Sequence, residues 1–170
     1  GVQTCALPIS RNPAPYAIAA MNARYAYERG AWKELTQLDA RPSKFHYPDA
    51  ITYFGRAIGA ARTGDAAAAG QEALRLETIH KALQAENNNY WATEVEIQRL
   101  AVAGWIALVR GDADNALRFM RAAADLEDKS EKHIVTPGRL VPARELLGDM
   151  LMELNQPAAA LKEYEASQLR

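Results

Sequence analysis

Three histidines and 21 acidic side chains are the raw material for metal or acid–base chemistry in this 170-residue chain. Glu77 and His80 lie within QEALRLETIHKALQAEN, and their i,i+3 spacing puts both on one face of a predicted helix. Helical bundles that hold two metal ions combine two such pairs with two further glutamates. One pair alone reads as a surface pair with no metal. His46 and Asp49, in FHYPD, are better explained as a helix start with Asp49 as cap. His133 sits in DKSEKHIVTPG, a long predicted loop, and long loops often carry function, so it is a candidate ligand contact.

Nucleophiles are scarce. Cys5 is the only cysteine, which excludes internal disulfides, thiolate metal centres built by this chain alone and a cysteine nucleophile beyond that one residue. GxSxG, GxxxxGK, GxGxxG and HExxH are all missing from the sequence. Neither catalysis nor a cofactor is expected.

The net charge of −1 gives no bulk attraction to nucleic acid or to anionic lipid. Charge is uneven, however: residues 11–85 carry +3 and residues 86–170 carry −4. The longest apolar run, LAVAGWIALV, has ten residues, against the roughly 20 needed to span a bilayer. A hydrophobic share of 49%, much of it alanine, supports a core of closely packed helices.

Four turn signals organise those helices: RGAWKEL, TGDAAAA, RGDADNAL and LNQPAAAL. Each places Gly30, Gly64, Gly111 or Asn155 where a helix should stop and another begin. Seven residues before each stands a small residue: Ala23, Ala57, Gly104 or Gly148. Four before stands Ala26, Ala60, Ala107 or Leu151, and five after stands Leu35, Ala69, Ala116 or Ala160. Nine after come Asp39, Ala73, Met120 and Tyr164, apolar except for the first. Small residues at matched heights let two antiparallel helices approach closely. The fold expected is all-α, with four helical hairpins over 13–29, 31–40, 49–63, 65–87, 90–110, 112–128, 141–154 and 157–170. Asn12, Asp49, Asp65 and Asp112 are the expected caps.

The segments AGWIALVRGDADNALRFMRAAADL and LGDMLMELNQPAAALKEYEASQL resemble the tetratricopeptide repeat, and the 34 residues from Gly30 to Gly64 match that family's period. EKHIVTPGRLVPARELLGDML is similar to stretches of long bacterial proteins of the same family with unassigned function. The spacing widens to 47 residues between Gly64 and Gly111, which predicts two lengthened partner helices. It is 44 residues between Gly111 and Asn155, where the excess reads as loop, with Pro142 suited to the first turn of the next helix.

The resemblance implies a right-handed superhelix whose first helices line a concave groove that binds a protein or peptide. Carried onto this chain, the groove residues are Arg24, Tyr27, Glu28, Ile51, Phe54, Ile58, Arg62, Gln98, Trp105, Leu108, Val109, Glu145, Asp149, Met152 and Glu153. Trp105 and Phe54 would be apolar anchors, and Asp149 and Glu153 would select positive charge. The family's carboxylate-clamp subtype is disfavoured, because Arg24 is matched in the other units by Ile58, Trp105 and Asp149. The alternative is a small-ligand-sensing or enzyme-associated module, with a pocket between the lengthened hairpin and the 128–140 loop that holds His133.

The ends carry their own expectations. Back-translated, GVQTCALPIS matches the end of a widely used short-read sequencing adapter, so residues 1–10 are read as non-native and 11–170 as a repeat domain cut at both ends. The last helix is expected to expose Leu161, Tyr164 and Leu169 and to promote self-association.

Overall fold

A computed structural model describes residues 14–40, 45–130 and 139–169. The expectations for residues 1–10, Asn12 and His133 lie outside this range. The described residues form eight helices and no strand: α1 (Ala14–Glu28), α2 (Trp32–Thr36), α3 (His46–Arg62), α4 (Ala66–Ala85), α5 (Asn89–Val109), α6 (Ala113–Lys129), α7 (Ala143–Glu153) and α8 (Pro157–Gln168). The lengthened pair is present, since α4 and α5, at 20 and 21 residues, are the longest.

The four turns repeat one local structure. Gly30, Gly64, Gly111 and Asn155 all adopt positive φ, between 57° and 85°, a region open to glycine and tolerated by asparagine. The amide after each donates to the carbonyl five residues back: Ala31 to Ala26, Asp65 to Ala60, Asp112 to Ala107 and Gln156 to Leu151. This closes the helix end and reverses the chain. Asn87, at φ 54°, makes a fifth such turn between α4 and α5, with Asn88 N bonded to Leu83 O. Asp65 and Asp112 then cap the helices that start there, accepting from Ala68 N at 2.8 Å and Asn115 N at 3.1 Å.

Three local readings are corrected. The second helix has five residues rather than ten, ending at Thr36. The Thr36 hydroxyl bonds Lys33 O at 2.8 Å, and the Leu38 carbonyl is taken by the Arg56 guanidinium, with Nε at 2.8 Å. Both compete with helix continuation. In α3 the N-cap is Phe45, so Asp49 lies inside the first turn instead of capping it. In α7 Pro142 is itself the N-cap residue. The free Ala143 amide is satisfied by the carboxylate of Glu127 on α6, at 3.0 Å.

Packing follows chain order. α1, α3, α5 and α7 each pack on the next of that series, while α2, α4 and α6 each pack on the helices before and after; α8 packs on α7. Small residues set the distances. An added Cβ on Gly59 would lie 2.6 Å from Leu35 Cβ and from the Trp32 carbonyl oxygen, so α2 and α3 meet almost backbone to backbone. At the amino-terminal ends of the odd helices Tyr16, Tyr47 and Trp91 form an aromatic stack, the last two with centroids 4.2 Å apart.

Candidate partner-binding face

The carboxy-terminal ends of the odd helices bring predicted groove residues together. The Arg62 guanidinium is held between two indoles, 4.5 Å from the Trp32 ring and 4.6 Å from the Trp105 ring. It also pairs with Glu153 at 3.0 Å. The Asp149 carboxylate accepts from Tyr27 Oη at 2.6 Å and from Tyr164 Oη at 2.8 Å. Burial first, and then Asp149, push the Tyr27 phenol far above its ordinary range; the same causes push Tyr164 up to about 12. α1, α2, α3, α5, α7 and α8 all contribute to this cluster.

Other candidates are placed elsewhere. Phe54, Ile58 and Trp105 are core residues, Trp105 only 3% exposed, so they offer no open anchor surface. Arg24 donates to the Arg139 carbonyl at 2.6 Å and points toward the Leu140 carbonyl at 3.4 Å. With Tyr27 bonded to Asp149, side chains of α1 therefore reach across to α7 and the residues before it. Gln98 is half-buried; its Oε1, like the indole Nε1 of Trp105, is buried without a partner among the described residues. Glu145, Met152 and Glu153 stay exposed on α7, with Glu145 accepting from the Ser167 hydroxyl at 3.3 Å.

A buried ionic cluster, unforeseen from the sequence, sits toward the other end of α5. Arg139 donates to both oxygens of Glu94, at 2.8 and 2.6 Å, and to the Ser130 hydroxyl at 2.6 Å. Its Nε is 3.5 Å from Glu127. Burial raises the Glu127 carboxyl above the usual carboxylate range, against the pull of Arg139 and the Ala143 amide. Beside the cluster lies a cavity of about 20 Å³, lined in part by Glu94, Gln98, Glu127 and Arg139. It has room for a water and is far smaller than the few hundred Å³ typical of small-molecule pockets. Arg144 joins Asp128 on α6 to Glu163 on α8; Arg62 is the cation that meets Glu153.

Comparisons of the chain with protein-family models, with curated proteins and with solved structures found no match.

Glu77 and His80 do not act as a pair. Glu77 binds Lys81 at 2.6 Å, and His80 Nδ1 lies 3.4 Å from Glu96 and within reach of Arg99. Burial lowers the His80 pKa. His46 faces Glu86 at 3.2 Å. Among the described residues no group of three or more His, Cys, Asp or Glu could hold a metal ion, and no helix is long and apolar enough to cross a membrane. Trp32, Glu94, Glu127 and Arg139 were not singled out by the sequence. Only Trp32 gave a signal, an indole two residues past a turn glycine.

Proposed function

We propose that this chain is a non-catalytic helical-hairpin repeat module of the tetratricopeptide-repeat kind that binds a protein or peptide segment. The repeated turn geometry and the stacking of each odd helix on the next support the repeat reading. The observation that carries the binding reading is the exposed α7 rim, where Met152 stands 52% exposed beside Glu153 and on the same helix as Glu145. An apolar contact ringed by acids suits a segment with an apolar residue next to Lys or Arg. The buried Trp105 acts from beneath, by fixing Arg62 and through it Glu153. A partner cation would compete with Arg62 for that carboxylate.

The test is pull-down with the chain, identification of the bound segment, and affinity measurement for Met152→Ala and Glu153→Lys. Loss of affinity in both, with unchanged melting, is the expected result. Equal affinity in both variants and the parent would remove the rim from the account.

A further inference from the structure

The Arg62 guanidinium stands in a site that other helices build. Its carbon lies over the Trp32 ring of α2 at 4.5 Å and over the Trp105 ring of α5 at 4.6 Å. Tyr27 of α1 braces Trp32 edge-on, with centroids 5.4 Å apart and planes at 79°. Glu153 of α7 supplies a carboxylate at 3.0 Å; its side chain is 51% exposed, against 18% for Arg62. Four helices thus offer two aromatic faces, a brace and an anion to one planar cation. Those are the elements by which a protein recognises a guanidinium on a ligand.

The internal occupant does not satisfy this site completely. Trp105 is almost fully buried, and its Nε1 has no acceptor among the described residues. A buried donor without a partner is costly, and Arg62 carries only donors, so it gives no relief. The ion pair to Glu153 opens to solvent and is screened there, so the two rings are the main hold on Arg62. A guanidinium from outside can make the same ring and carboxylate contacts. What favours Arg62 is its attachment to α3, which supplies it at high effective concentration. Arg62 ends α3, and Thr63, Gly64 and Asp65 after it are exposed, so a displaced side chain has water to move into.

We propose that the gap between Trp32 and Trp105 is a guanidinium-binding slot that Arg62 keeps closed, and that a partner segment at the α7 rim opens it by placing an arginine there. The second half rests on the binding reading of that rim; the first half does not. Arginine is favoured over lysine, because an ammonium is a strongly hydrated point charge without the plane that stacks on an indole.

Chemical rescue of Arg62→Ala tests the slot, with ethylguanidinium as probe and ethylammonium at equal ionic strength as control. The expected result is a saturable change in tryptophan fluorescence and a rise in melting temperature, with ethylguanidinium binding about tenfold tighter than ethylammonium. Should Arg62→Ala not fold alone, ethylguanidinium should restore its circular dichroism. The parent, its slot filled, should show neither response, and adding Trp32→Leu to Arg62→Ala should abolish both. An Arg62→Ala protein that ignores ethylguanidinium, or a parent that responds equally, overturns the proposal. In the segment captured by pull-down, replacing arginine with lysine should weaken binding about tenfold. Unchanged affinity there, with Met152→Ala and Glu153→Lys still weakening it, overturns the partner's use of the slot and leaves the rim reading standing. Unchanged affinity in those two variants, with rescue of Arg62→Ala intact, removes the rim and keeps the slot.

Discussion

The Tyr27 hydroxyl donates a 2.6 Å hydrogen bond to Asp149, joining side chains 122 residues apart. Their helices, α1 and α7, do not pack backbone on backbone. The bond therefore links two helices through side chains alone, and Tyr164 of α8 meets the other oxygen of the same carboxylate. Asp149→Ala strips two half-buried phenols of their acceptor, while Tyr27→Phe removes one donor and leaves Asp149 bonded to Tyr164. Tyr27→Phe should cost about 1 kcal/mol and Asp149→Ala about 2–3 kcal/mol, with a coupling of about 1 kcal/mol in a double-mutant cycle read by urea unfolding.

Alkaline titration should report the same phenols. Burial and then Glu94 push Tyr16 up to about 12; burial and then Asp149 push Tyr164 to about 12 and Tyr27 further. Each phenol holds its proton more tightly folded than unfolded. The stability they contribute is intact below the ordinary value of 10.0 and is lost as pH rises from there toward 12. Melting temperature should fall steeply in that window, and less steeply in Tyr27→Phe. An equal slope in both proteins would sink the assignment.

Glycine substitutions should rank by what the new methyl meets. Gly59→Ala collides with backbone as well as with Leu35 and should cost about 2–3 kcal/mol or more. At Gly148 the methyl meets the Tyr164 ring, 2.7 Å from Cδ1 and Cζ, and evicting the ring also breaks its bond to Asp149. At Gly104 it comes 3.1 Å from the Ala116 carbonyl, the mildest of the three. Leucine at Gly104 or Gly148 should cost about 1–3 kcal/mol or more. Gly70 in α4 has open space around it, so Gly70→Ala should stabilise by about 0.5–1 kcal/mol through helix propensity. Thermal melts of the set check the order.

Arg139→Met should leave Glu94 and Glu127 buried without their shared cation and cost about 3 kcal/mol or more. The Glu127 carboxyl, which burial already pushes up, would lose the pull of Arg139 and favour its protonated form further in the folded state. The deficit should therefore be smallest in acid and grow as pH rises through the folded Glu127 pKa. A deficit independent of pH would mean that packing of the arginine stem, and not its charge, is what Arg139 contributes.

The turns and the helix count were legible in the sequence because both rest on local chemistry. Gly30, Gly64, Gly111 and Asn155 stand where the backbone needs positive φ, and Asp65 and Asp112 cap α4 and α6. The same register placed Gly104 and Gly148 against partner helices. α2 ran short because Arg56, eighteen residues on, takes the Leu38 carbonyl just past its end, a contact that no local pattern encodes. Tyr164 was expected on the exposed stripe and is instead half-buried on Gly148, because the missing side chain there makes room for its ring. Phe54 and Ile58 belong to the core because a helical period marks a face without telling whether solvent or protein lies against it. Arg139 and its two glutamates were invisible because they join α5, α6 and the segment before α7, and charge pairing at such separation leaves no spacing to read.

A stack of hairpins in which each touches only its neighbours can fray from either end, one unit at a time, with little consequence for the rest. The bridge from α1 to α7 alters that. Releasing the first hairpin breaks the Tyr27–Asp149 and Arg24–Arg139 contacts, and so removes support from the last. The two ends should then open as one cooperative unit, and amide hydrogen exchange should find α1 and α7 opening together, with α4 and α6 free to differ.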